Sequence, residues 1–308
     1  ILLRLNFKYE YEKMLDKILA EKIEIPETLK KIRFSFPPAP HSGRLVLTLE
    51  NINKSYINAD KTEHQVLKDL GLVLENGDRL VVAGKNGAGK TTLLRIIAGE
   101  DSAYSGNLKL GSGVSIGYFS QDNAESMKGS MSMLEMLEAE APLELLPKLR
   151  DMLGAFLFRG DDVYKSVDVL SGGEKSRLAL LRLLLKPVNL LILDEPTNHL
   201  DMHSKDVLLN ALKDFGGTVI FVSHDRGFIE SLATRVLELT PCKFREFPGS
   251  YQYYMEQLEK ESLGLDQDEN LVSTVTKPVE QKVVSQGAKS YEEQKRLKSE
   301  RRKLEKEE

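Results

Sequence analysis

The sequence predicts an α/β domain with a largely parallel sheet, on three observations. Beyond Leu45, short apolar strand patterns alternate with helical ones. Two of the strand patterns, Leu190–Leu193 and Thr218–Val222, are short and almost wholly apolar, as strands covered on both faces are. A glycine-rich loop, residues 84–91, joins a strand pattern ending at Ala83 to a helical one.

Each element follows from its own residues. Leu45–Leu49 alternates apolar and polar positions. Gly71–Glu75 and Asp78–Ala83 flank Asn76–Gly77, a dipeptide that predicts a hairpin. Thr91–Ala98 is a helix stopped by Gly99, which suits a left-handed cap. Residues 131–158 carry Met, Leu and Phe at helical spacing, broken at Pro142, Pro147 and Gly154. Residues 174–185 form a Leu-rich helix closed by Pro187. Val207–Phe215 is an amphipathic helix with Leu208, Ala211, Leu212 and Phe215 on one face.

The flanks read differently. Residues 1–36 hold eight Lys or Arg and six acids around a helical pattern at Met14, Leu15, Ile18 and Leu19 that Pro26 ends, and a solvated helix is the plain reading. Phe36–Pro37–Pro38–Ala39–Pro40 is a helix-incompatible junction. Residues 262–288 read as a polar linker, and residues 289–308 as the start of a charged helical tail with opposite charges four apart.

Composition narrows the function classes. The 308 residues carry a formal net charge of -4, which speaks against a uniformly basic nucleic-acid binder and leaves local basic patches open. A single cysteine, Cys242, rules out an intrachain disulfide framework. No apolar run reaches the roughly 18–20 residues of a membrane-spanning helix. The chain starts at Ile1 with no signal-peptide layout, so a piece of a longer polypeptide is expected.

Gly84-Lys85-Asn86-Gly87-Ala88-Gly89-Lys90-Thr91 fits the phosphate-loop pattern G-x-x-x-x-G-K-[ST]. Glycines let backbone N–H groups curl round phosphate oxygens, and the helix start adds partial positive charge. Lys90 would reach the β- and γ-phosphates, and the Thr91 hydroxyl would bind Mg²⁺. Leu190–Leu193 ends in Asp194 and Glu195, a pair suited to holding Mg²⁺ and to activating a water as general base. Ser171-Gly172-Gly173-Glu174 opens the third helical pattern and supplies a second anion site at a helix start. One nucleotide does not need two such sites on one chain, whereas two facing molecules do.

With these three motifs the chain resembles the ATP-binding cassette family. That resemblance implies a mixed, mostly parallel sheet with an antiparallel β subdomain and a helical subdomain at about 122–169. It implies that Gln121, in Tyr118–Asp122, senses Mg²⁺ and the γ-phosphate, and that His224, in Val222–Arg226, contacts the γ-phosphate. Thr92 joins the nucleotide-binding set, Ser171 to Glu174 act on the nucleotide of a facing cassette, and Asp201 lies on the loop that crosses between cassettes. Tyr56, which precedes the loop by 28 positions, resembles the adenine-stacking aromatic, with a core or surface tyrosine as the alternative.

Within the family, Asp194-Glu195-Pro196-Thr197-Asn198-His199-Leu200-Asp201 and Ser171-Gly172-Gly173-Glu174-Lys175-Ser176-Arg177 resemble the ABC-F proteins, tandem-cassette ATPases that act on ribosomes. The resemblance implies a second cassette preceded by part of its linker: 1–44 linker, 45–260 cassette, 261–288 flexible linker, 289–308 charged tail. Ile1–Phe7 are more apolar than such a linker predicts. It also implies ATP and Mg²⁺ as ligands, a second cassette as partner, ribosomal RNA near Lys30, Lys31 and Arg33, and a cytoplasmic location. An ATP-hydrolysing transporter subunit and a cassette that binds nucleotide without turnover are the competing classes.

Overall fold

The computed structural model describes residues 38–57 and 61–263. The linker reading of residues 1–37, with Lys30, Lys31 and Arg33, lies outside them, as do the linker beyond residue 263 and the charged tail.

Two sheets form the frame. Strand β1 (Leu45–Ile57) pairs antiparallel with β2 (Glu63–Glu75) on one side and β4 (Ser105–Leu110) on the other. The second sheet has the order β5-β6-β7-β3-β8-β9. Its members are β3 (Arg79–Ala83), β5 (Ile116–Phe119), β6 (Leu190–Asp194), β7 (Thr218–Val222), β8 (Arg235–Thr240) and β9 (Lys243–Pro248). All its pairings are parallel except β8 with β9. The expected mixed, mostly parallel sheet with an antiparallel companion is therefore present.

Side-chain alternation explains the layering. Successive residues of a strand point to opposite faces, and β6 and β7 are buried at every position. Leu190 and Ile192 join one core with Ile220, Val222, Leu80 and Leu237. Leu191 and Leu193 join the other with Val219, Phe221, Val81 and Val236. The first core is closed by the antiparallel sheet, through Val46, Leu49, Ile52 and Leu72, and by α1 (Lys90–Ala98), through Leu93, Leu94 and Ile97. The second is closed by helices. These are α2 (Gln121–Glu125), α3 (Met133–Glu140), α4 (Leu149–Ala155), α5 (Gly172–Leu184), α6 (Met202–Asp214), α7 (Arg226–Leu232) and α8 (Tyr251–Ser262).

The helix starts are legible as caps. Ser132 and Ser171 each form a reciprocal box with a glutamate three residues on, and Asp201, Asp225 and Ser250 accept N–H bonds from the first turns of α6, α7 and α8. Pro142 and Pro147 break the 131–158 pattern as expected, giving α3, a short 3₁₀ turn at Leu146–Lys148 and α4.

The expected hairpin at Asn76–Gly77 does not form. Glu75 closes β2 in the antiparallel sheet, and Arg79 opens β3 in the other, so the turn carries the chain between sheets. Its polar groups are taken by the loop before β7. Gly77 N–H donates to Thr218 Oγ1 at 3.1 Å, and the Arg79 guanidinium donates to the carbonyls of Phe215 and Gly217. Local turn chemistry is satisfied, and the partner of β2 is decided by which core its apolar face joins.

Asn189 pins the Pro-rich junction to this frame. The residue is fully buried before β6. Its Nδ2 donates to the carbonyls of Pro40 (3.1 Å) and Gly113 (2.8 Å), and its Oδ1 accepts from Ser115 N–H (2.8 Å). Replacing it with alanine leaves three backbone groups without this partner. At about 1 kcal/mol per net hydrogen bond, Asn189→Ala is expected to lower stability by about 2–3 kcal/mol. Urea unfolding measures this as a lower midpoint at unchanged slope.

Candidate functional site: a phosphate loop facing two adjacent carboxylates

The adjacent strands β3, β7, β6 and β5 run parallel, so their C-terminal ends lie along one edge. Such edges are where ligands bind in open α/β sheets. Ala83 at the end of β3 leads into the phosphate loop. Val222 at the end of β7 leads to Ser223 and His224. β6 ends in Asp194, followed by Glu195. Phe119 at the end of β5 leads to Gln121, the first residue of α2. Four of the expected site segments are thus brought side by side by the strand order.

The loop needs glycine at two positions for different reasons. Gly84 has φ 147°, and a Cβ there would lie 2.3 Å from the Leu239 carbonyl oxygen. Gly89 has φ 96°, and a Cβ would lie 2.6 Å from a Val66 methyl. Lys85, Asn86 and Gly87 form the exposed crest, and Ala88 is buried beneath it. Lys90 Nζ donates back to the carbonyls of Gly84 (2.9 Å) and Lys85 (3.2 Å), so the loop encircles the ammonium.

Opposite the loop sit the carboxylates. Asp194 is 8% exposed, and burial pushes its carboxyl above the usual range. The Thr91 hydroxyl, hydrogen-bonded to it, and the charges of Arg95 and Lys90 pull the other way. Burial likewise raises Glu195 against the opposing His224 contact. His224 N–H donates to Glu195 Oε2 at 3.2 Å, and His224 Nε2 lies 3.2 Å from Oε1. That second approach lacks hydrogen-bond alignment, and Oε1 is buried with no hydrogen-bond partner among the described residues. Glu195 itself has φ 50°, a left-handed backbone rare outside glycine, and its N–H is held by Val222 O at 3.0 Å. A half-buried carboxylate beside a histidine, with one oxygen lacking a hydrogen bond, is equipped to accept a proton.

The other expected residues are placed as follows. Tyr56, near the end of β1, is 41% exposed. Its hydroxyl lies 3.3 Å from Thr92 Oγ1, and Lys54 Nζ stands 4.8 Å from its ring centroid. This puts an open aromatic surface beside α1. Ser171, Gly172, Gly173 and Glu174 open α5. Ser171 and Gly172 are exposed, and Glu174 Oε2 accepts from Ser171 N–H (2.9 Å) and Oγ (2.7 Å), which hold its carboxyl below the usual range. No described hydrogen bond or ion pair joins these four residues to the phosphate loop of their own chain. Asp201 is an exposed N-cap, accepting from His203 and Ser204 N–H groups at 3.2 Å each.

Comparison with known proteins agrees with this geometry. The family model described as ABC transporter matches residues 67–198. The putative ATP-binding protein YdiF of Bacillus subtilis is 43% identical over 269 residues, covering 86% of this chain and 40% of that protein. The chain carries an ATP-binding cassette domain, and its relatives are ATP-binding proteins of the ABC-F type. ABC transporter F family member 2 of Arabidopsis thaliana is 36% identical over 248 residues, covering 80% of the chain and 36% of that protein. The chain therefore spans about two fifths of the length of these relatives. Among solved structures, a dimeric ATP-binding cassette in a post-hydrolysis state bound to ADP and Pi matches with a TM-score of 0.56 at 23% identity, covering 66% of this chain and 98% of that one. That likeness shows the cassette fold. No helix among the described residues is long and apolar enough to cross a membrane.

Sequence reasoning gave no role of their own to several residues that shape the site. Lys54 is buried, pairs with Asp101 at 2.7 Å and backs Tyr56. Thr197 and Ser223 share a buried hydrogen bond of 2.9 Å behind the Glu195–His224 contact. All three lie within two residues of a motif residue, which is the signal that would have drawn attention to them.

The raised Glu195 carboxyl has a consequence for stability. The native state holds this proton more tightly than the unfolded chain does. Stability from this group is therefore lost as pH rises from the unfolded value through the folded one. Glu195→Gln removes the ionisation and leaves an acceptor for His224 N–H. Calorimetry of the nucleotide-free protein is expected to show a higher melting temperature for the variant at pH 8, with the gap narrowing towards pH 5. An equal or lower value at pH 8 would contradict it.

Proposed function

We propose that the cassette binds and hydrolyses ATP in a head-to-tail pair with a second cassette, within an ABC-F protein acting on the ribosome. The observation that carries the ATPase reading is half-buried Glu195, whose Oε1 has no hydrogen-bond partner among the described residues, at the strand edge that also bears the phosphate loop.

In this reading the loop N–H groups and Lys90 hold the phosphates, and Tyr56 offers its open surface to the base. Glu195 accepts a proton from water as that water's oxygen bonds to the γ-phosphorus. The bond from that phosphorus to the bridging oxygen breaks, and ADP and phosphate result. His224 steadies Glu195 and the γ-phosphate oxygens. The donor set fits Mg²⁺: a hydroxyl (Thr91) and one buried, raised carboxyl (Asp194), a cation completing its shell from phosphates and water. When bound, Mg²⁺ draws charge from the β- and γ-phosphate oxygens. Gln121 follows β5 at the same edge and completes the set by resemblance.

The exposed Ser171 and Gly172 at the start of α5, with Gly173, suit a phosphate held by a facing cassette, and Asp201 suits the contact between the two. The division into linker (1–44), cassette (45–260, helical part about 122–169), flexible linker (261–288) and tail (289–308) belongs to the same proposal. So does a cytoplasmic location. The ribosomal role is supported by the motif wording at Ser171–Arg177 and Asp194–Asp201 together with the ABC-F type relatives.

Glu195→Gln tests both levels. Loss of a general base is expected to reduce ATP turnover by about 10²–10⁴-fold while ATP binding persists. The full-length variant is expected to pellet with ribosomes when ATP is present and not when ADP replaces it. Unchanged turnover would overturn the catalytic reading. ATP-independent sedimentation, or co-purification with a membrane protein instead, would overturn the ribosomal one.

A further inference from the structure

We propose that the Thr197–Ser223 hydroxyl pair and the Lys205–Asp225 ion pair are positioning devices that hold His224 in register with Glu195. The inference rests on the reading of Glu195 as proton acceptor and adds how its partner is aimed.

His224 has little packing to orient it. Its side chain is 64% exposed, against 17% for Glu195, and among the described residues its polar contacts both go to Glu195. Its aim is therefore set by the backbone of the residues on either side, and both are tied down. Ser223 Oγ lies 2.9 Å from Thr197 Oγ1 and accepts Asp225 N–H at 3.1 Å, with Thr197 and Ser223 both buried. Asp225 caps α7 by accepting Phe228 N–H at 3.1 Å, and its other oxygen takes Lys205 Nζ of α6 at 2.8 Å. The neighbours of His224 are thus anchored to two different elements, the turn after β6 and helix α6.

The Thr197 end of the tie is itself under strain. Glu195 (φ 50°) and His199 (φ 63°) bracket Thr197 in left-handed conformations that non-glycine residues avoid. Such a turn persists only when its surroundings over-determine it. The holding contacts are Glu195 N–H to Val222 O (3.0 Å), Asn198 N–H to Glu195 O (3.2 Å), Leu200 N–H to Thr197 O (3.3 Å) and the Thr197–Ser223 bond. The last is the side-chain bond among them that joins the turn bearing Glu195 to the turn bearing His224. Removing it frees two turns to drift apart at a distance where catalysis is sensitive to small displacements.

The test uses the full chain with Thr197→Val, which keeps shape and removes the hydroxyl, Thr197→Ser, which restores it, and Ser223→Ala. Thr197→Val and Ser223→Ala are expected to lower kcat by about 10- to 100-fold with KM for ATP within about two-fold, the cost of a small misplacement. Thr197→Ser is expected to recover most of the loss. In a His224→Ala background, Thr197→Val is expected to add less than about two-fold, because both changes disable one unit. Wild-type kcat in Thr197→Val, a loss confined to KM, or full additivity with His224→Ala would overturn the proposal. Failure of the base reading shows separately, as unimpaired turnover in Glu195→Gln.

Discussion

Two adjacent carboxyl groups at the end of a fully buried strand are the constraint around which this cassette is arranged. Burying an ionised carboxylate is costly unless it is compensated, and here the compensation is partial. Thr91, Lys90 and Arg95 act on Asp194, and His224 acts on Glu195, yet burial still raises both groups. The site is thus held in a state that a bound cation or an arriving proton would relieve. Preorganised charge of this kind destabilises the resting protein and favours the chemistry that discharges it.

The sheet makes the arrangement possible. Strands β5, β6, β7 and β3 are neighbours out of chain order, so residues far apart in sequence meet at one edge. Because β6 and β7 are covered on both faces, neither can slide without exposing one core or the other. The same rigidity extends to the opposite end of β6, where Asn189 holds the Pro40 carbonyl. The Pro40 segment and the two carboxylates are therefore attached to opposite ends of one five-residue strand.

Much of this was legible in the sequence, because the responsible signals are local. Glycines at 84 and 89 and the apolar runs at 190–193 and 218–222 each constrain their own neighbourhood. The order of the strands was not legible, since it depends on which apolar face joins which core. That is why Asn76–Gly77 read as a hairpin and proved to be a bridge between sheets. The tie between Thr197 and Ser223 escaped for the same reason: two residues 26 apart become partners only once β6 lies beside β7. Asp201 was legible as a motif residue, while its role as the cap of α6 emerged from the fold.

The central claim is that burial outweighs the histidine at Glu195 and leaves its carboxyl raised. Carbon-13 titration of glutamate side-chain carboxyls in the nucleotide-free protein measures this directly, with the Glu195 signal assigned by its loss in Glu195→Gln. The account predicts a midpoint clearly above that of the exposed glutamates in the same spectrum. A midpoint at or below theirs would contradict it.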